Sequence, residues 1–160
     1  MLAIPRSFLL CAVLAIASVM SAPSRAEDVP VPYWASLRVD EVNMRVGPGE
    51  DYRINWVYRR LQLPMKVIRL KEGWRLVRDP DGAQGWVMAR FLTRQRGAIV
   101  SGTGLADMRE QGNAGARLLW RVEPGVVGKL GDCADGWCRF DASGHVGFIE
   151  QRRIWGAGEP

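Results

Sequence analysis

Apolar and polar positions alternate along this chain in short runs, and no window sustains a 3.6-residue apolar period. Met65, Val67 and Leu70 are interleaved with Lys66 and Arg69, and Ile54, Trp56 and Tyr58 share one face of the next-earlier run. Such runs predict short β-strands with two-residue side-chain periodicity, and a very low helix content. Turn signals punctuate them: Glu72-Gly73, the "DPDG" of residues 79–82, Asp135-Gly136 and Ser143-Gly144. Short strands joined by such turns give an all-β chain of small antiparallel barrels.

The pattern occurs twice. Met44-Arg45 answers Met108-Arg109, Gly73-Trp74 answers Gly136-Trp137, and Gly85-Trp86-Val87 answers Gly147-Phe148-Ile149. The spacing between landmarks drifts only from 64 to 62 residues, which marks an internal repeat. Two units follow, 35–96 and a divergent 106–156, with 97–105 expected as a linker because "SGTG" is loop-like in composition.

The stretch "NMRVGPGEDY" (43–52) raises the choice between a phosphate cradle and a bend. A cradle needs glycines running into a helix N-terminus. Here the chain continues as β-alternating "EDYRINWVYRR", with Glu50 and Asp51 set against any anion. The bend is the better reading, with Gly47 and Gly49 expected at positive φ on either side of Pro48.

Together these residues resemble the bacterial SH3-like (SH3b) domain: an alternating strand, "NMRVGPG", a tyrosine three residues on, "GW" entering a strand, the "DPDG" hairpin and a closing "GWV". The match is close over 36–95 and looser over 106–156, where "EQGNAG" replaces the Gly-Pro-Gly bend and Phe148 replaces the tryptophan. It is most similar to exported tandem SH3-like proteins of Gram-negative bacteria. The resemblance implies two tandem SH3-like barrels of five to six strands each and a binding role, often at the cell wall. It brings no catalytic residues.

Residues 1–26 read as a signal peptide: Arg6 precedes the apolar run "FLLCAVLAIASVM", and "SAPSRA" ends in small residues, giving expected cleavage after Ala26. That run falls short of the about 20 residues a membrane span needs. The expected location is periplasmic or secreted, with no integral span after cleavage. Beyond residue 26 the chain carries 20 basic and 17 acidic side chains, divided as +4 over 27–98 and −1 over 99–160. Those charges are interspersed rather than blocked, which argues against a nucleic-acid partner.

Candidate chemistry is sparse. Cys133 and Cys138 flank "ADGW"; if Asp135-Gly136 is a two-residue turn, they face each other in a non-hydrogen-bonded pair, close enough for a disulfide, which export would favour. Free thiols or a redox pair are the alternatives, the latter without a helix N-terminus or a further histidine in support. Leu70 and Arg75 occupy the matching places in the first repeat. His145, the single histidine, reads as a surface residue, and Asp79 and Asp81 read as a hairpin tip rather than a cation site. No nucleophile, base and orienter come together, and no metal site or cofactor is expected, so the chain reads as a non-enzyme.

Among the seven tryptophans, Trp74, Trp86 and Trp137, with Phe148, are expected mainly as core filling. Tyr52, Trp56 and Tyr58 are the binding candidates, because Arg45, Arg53, Arg59 and Arg60 flank them. A ring beside arginines can stack on a sugar or peptide while a guanidinium holds a carboxylate. Two readings of Trp56 stand open, ligand platform or contact with the other repeat. Arg59 and Arg60 also fit a strand end whose charges protect an edge. The function expected is binding of cell-wall peptidoglycan or its stem peptides, at Arg45, Tyr52, Trp56, Tyr58 and Arg59. The alternative is an envelope adaptor that contacts another protein.

Overall fold

The structure, a computed structural model, describes residues 29–160; the expected signal peptide lies outside the described residues. The described chain is all-β, with two short 3-10 turns and no α-helix. The first repeat holds β1 (Tyr33–Leu37), β2 (Val42–Arg45), β3 (Ile54–Tyr58), β4 (Pro64–Lys71), β5 (Trp74–Arg78), β6 (Gln84–Met88) and β7 (Leu92–Thr93), in the order β3-β2-β6-β5-β4-β1-β7. The second holds β8 (Gly97–Val100), β9 (Ala106–Arg109), β10 (Leu118–Val122), β11 (Val127–Ala134), β12 (Trp137–Ala142), β13 (His145–Glu150) and β14 (Ile154–Trp155). Its order, β10-β9-β13-β12-β11-β8-β14, repeats the first strand for strand. All pairings are antiparallel, and each repeat has seven strands where the family resemblance implied five or six. The additional segments are short ones that close each sheet around its core, such as two-residue β7 and β14.

Hairpin turns fix the registers. Glu72-Gly73, Asp135-Gly136 and Ser143-Gly144 all have positive φ at both central positions, the geometry that matches strand twist in a two-residue hairpin. The register that results buries alternate positions of most strands, such as Val42 and Met44 of β2 and Gly147 and Ile149 of β13, while β3 buries Tyr58 alone. Leu37, Met44, Met65, Val67, Val77 and Val87 form the first core, and Val100, Met108, Phe140 and Ile149 are central to the second. The expectation that the paired tryptophans fill these cores is corrected. Trp74, Trp86, Trp137 and Phe148 lie half-buried on the opposite, outward side, because the alternate positions of their strands go inward: Val77 on β5, Gly85 and Val87 on β6, Cys138 and Phe140 on β12, and Gly147 and Ile149 on β13.

The landmark dipeptides interlock. A Cβ on Gly85 would meet Met44 Cγ at 2.4 Å and the Arg45 carbonyl at 2.9 Å; one on Gly147 would meet the Arg109 carbonyl at 3.0 Å. Glycine there lets the methionine of the second strand cross over the sixth and reach the core. Arg45 then sits outward beside Trp86, as Arg109 sits beside Phe148.

The expected linker over 97–105 is also corrected. Gly97–Val100 is strand β8, paired with β11 and β14, and the loop is confined to the residues after it. The barrels therefore meet almost directly. The Gly97 amide donates to Ser36 Oγ at 2.7 Å, Trp34 and Trp155 meet edge to face at 4.6 Å, and Ile99 and Val127 pack against the first core. Arg60 Nη1 donates to the Gly125 carbonyl at 2.5 Å, and Arg96 Nη2 donates to the Gly156 carbonyl at 2.5 Å. The "SGTG" loop is itself held, with the Arg153 guanidinium donating to the carbonyls of Ser101, Thr103, Gly104 and Leu105.

Candidate functional site

Strand β3 is an edge strand, hydrogen-bonded to β2 alone, and it carries Ile54 and Trp56 into solvent. Trp56 is 60 % exposed, the highest value among the large exposed hydrophobic side chains. An apolar ring on an unpaired edge is a place where partners add. Beside it opens a groove of about 420 Å³, lined on one side by Trp56, Tyr58 and Arg59 and on the other by Pro80 and Asp81 of the β5–β6 hairpin. Leu63 and, from the second barrel, Ile99 supply apolar wall.

The floor of the groove is a hydrogen-bonded lock. Asp79, 5 % exposed, accepts from the backbone amides of Asp81 (3.0 Å) and Ala83 (2.8 Å) and from the Tyr58 hydroxyl (2.8 Å). The carboxylate thus holds the tip of its own hairpin and pins it to β3. Burial first, and then the hydrogen bond to Asp79, push the Tyr58 phenol well above its ordinary range. Asp79 belongs to the hairpin, as its spacing suggested, and among the described residues no group of side chains is arranged to hold a metal.

Of the five predicted site residues, the fold brings three together. Trp56, Tyr58 and Arg59 line the groove; Tyr58 does so as a buried member of the first core whose hydroxyl is already engaged, so it forms floor rather than platform. Arg59 Nε meets Glu41 at 3.0 Å in an exposed ion pair. Arg45 and Tyr52 are not among the residues lining this groove. Arg45 Nη1 donates to the Tyr52 carbonyl at 2.6 Å, and Arg109 Nη1 donates to the Ala116 carbonyl at 2.8 Å in the second repeat. The repeated arginine is a clamp on the loop that follows it. Gly47 and Gly49 are not among the glycines at positive φ, contrary to expectation. Glycine is needed at 47 because the Tyr52 ring lies over the bend: a Cβ there would come within 2.3 Å of it.

Sequence reading missed Asp79, Pro80, Asp81 and Ile99 as groove residues. The "DPDG" turn was legible, but its pairing with a tyrosine 21 residues earlier leaves no periodic signal.

The second repeat has the same frame with a different filling. Trp120 takes the place of Trp56 on the edge strand β10 and is 43 % exposed, but the His145 ring stands edge-on to it at 4.6 Å. Val122 replaces Tyr58, so no hydroxyl reaches the hairpin carboxylate, and Asp141 caps its own turn through the Gly144 amide. Cys133 and Cys138 face each other across the Asp135-Gly136 turn with Cα atoms 4.0 Å apart and are joined as a disulfide. The redox-pair alternative finds no helix N-terminus near them.

Among curated proteins, the chain is 21% identical over an alignment of 134 positions to the "Putative N-acetylmuramoyl-L-alanine amidase YrvJ" of Bacillus subtilis (strain 168). That match covers 78% of this chain and 26% of the relative, so the chain spans about a quarter of its length. Among solved structures, NlpC2 from Trichomonas vaginalis overlaps 78% of this chain and 48% of its own at 15% identity, with a TM-score of 0.36. NlpC1 from the same organism overlaps 81% and 47% at 15% identity, with a TM-score of 0.37. Likeness at that level transfers nothing to this chain. The family model for the bacterial SH3 domain matches residues 38–93 and again 103–156, one match over each barrel and together more than half of the chain. With its strand order repeated barrel for barrel under those two matches, the protein belongs to the bacterial SH3 domain family and carries the domain in tandem.

Proposed function

We propose that this protein is an exported, non-catalytic binding module of the cell envelope, and that the groove beside β3 takes a peptide of the cell-wall peptidoglycan. The observation that carries this reading is Trp56: a large ring left mostly in solvent on an unpaired edge, over a groove whose floor is locked by Tyr58 and Asp79. A rigid floor and an exposed ring suit an extended ligand, which can lie along a free strand edge and place a side chain on the indole. The family supports a binding role, and a relative named as a wall amidase supports the wall as the target. No helix among the described residues is long and apolar enough to cross a membrane.

Co-sedimentation of the protein with purified sacculi tests the proposal. The folded protein is expected to pellet, and Trp56→Ala is expected to release it to the supernatant; equal pelleting of the two proteins would refute this site. A second reading, an adaptor for another envelope protein, draws on the exposed Leu118 and Trp120 of β10. It gains ground if the protein fails to pellet and cross-links to a protein partner through that edge.

A further inference from the structure

The charges around the groove differ in what they already hold. Arg59 is paired with Glu41, and Arg60 donates to the Gly125 carbonyl across the barrel junction. Asp79 is buried and accepts three hydrogen bonds. Asp81 is exposed, and among the described residues its carboxylate accepts no hydrogen bond and forms no ion pair. The groove lining carries two guanidinium groups, Arg59 and Arg60, and two carboxylates, Asp79 and Asp81; with Arg59 paired to Glu41, Arg60 donating across the junction and Asp79 saturated, the Asp81 carboxylate is the lining charge left without a partner.

From this arrangement we infer that the groove selects ligands bearing a protonated primary amine, with Asp81 meeting the ammonium and the Trp56 ring as the neighbouring platform. The inference rests on the proposed reading of the groove as the ligand site and reverses the simpler expectation from sequence, in which arginines there would hold a carboxylate. The Arg59–Glu41 ion pair is exposed and therefore weak, so its presence alone would not exclude a carboxylate ligand. What disfavours one is the adjoining Asp79 and Asp81. An ammonium group gains from the same pair and from the face of an indole. Pro80, Leu63 and Ile99 then line apolar wall for the uncharged part of the ligand.

The experiment compares sacculi in native form with sacculi whose free amines have been blocked by acetylation, using the folded protein and its Asp81→Asn and Trp56→Ala variants. Asp81 contributes its backbone amide to the lock and its side chain to solvent, so Asp81→Asn keeps the hairpin. Acetylation and Asp81→Asn are each expected to weaken binding about 5- to 10-fold, the range for one charge-assisted contact, and together no more than either alone. Native and acetylated sacculi bound equally, with Trp56→Ala weakening both, would overturn the amine inference and leave the wall reading standing. No pelleting of either would overturn the wall reading instead. The inference is then decided by titrating triglycine amide and its N-acetyl form while following the Trp56 and Asp81 backbone amides by NMR. Shifts with the free amine alone uphold it, and shifts with both or neither overturn it.

Discussion

Tyr58→Phe isolates the lock beneath the groove. The substitution keeps a ring of nearly the same size in a site that is 6 % exposed and removes one hydroxyl. Asp79 then loses one of three donors while its two backbone amides remain. A hydrogen bond to a buried carboxylate is worth about 2 kcal/mol, so the variant is expected to be less stable by that amount at pH 8. The difference also depends on pH. The folded phenol holds its proton well above the ordinary value of 10.0, whereas the unfolded one ionises there. Below pH 10 both states are protonated and the stabilisation is fully present; above it the folded state carries the extra proton, and stability falls as pH rises toward the folded value. One unit above 10 the loss is about 1.4 kcal/mol, and phenylalanine cannot contribute it. Urea unfolding of both proteins at pH 8 and pH 11 should therefore show the gap shrinking from about 2 to under about 1 kcal/mol. A gap that stays constant across that range would refute the buried, proton-holding lock.

Gly85→Ala places a methyl group against Met44 Cγ and the Arg45 carbonyl and should cost about 2–3 kcal/mol by overpacking. Gly73→Ala, which has open space and only an unfavourable φ of 83°, should cost about 1 kcal/mol, both measured by urea denaturation. Reduction of Cys133–Cys138 opens a loop between residues 5 apart in sequence and should destabilise the second barrel by about 2 kcal/mol, read as a lowered urea midpoint with reductant present. Gly97→Val would drive a side chain into the Gln62 carbonyl, 2.1 Å from the Cβ position, at the junction of the barrels. Calorimetry should then resolve two unfolding transitions where the parent protein shows one, and a single transition of unchanged shape would argue against a coupled junction.

The class of fold, the repeat and the hairpins were legible from short windows of the chain alone. Strand periodicity and two-residue turns are local, and Glu72-Gly73, Asp135-Gly136 and Ser143-Gly144 need only their own φ angles to set a register. The disulfide was legible for the same reason, since one tight turn places Cys133 opposite Cys138. What local pattern could not decide was which side of a strand faces inward and what meets across distance. Gly97–Val100 read as linker because its glycine and the following "SGTG" resemble a loop, and its burial is set by pairing with β11 and β14. The tryptophans read as core, yet the close crossing of Met44 over Gly85 turns Trp86 outward. The site divides in the same way. Trp56 and Arg59 were visible as an aromatic beside a charge, but only the folded sheet separates them from Arg45 and Tyr52 and brings Asp79, Asp81 and Ile99 to the groove. Contacts of that kind join residues far apart in the chain, and their energies depend on burial and on partners that no short window of sequence contains.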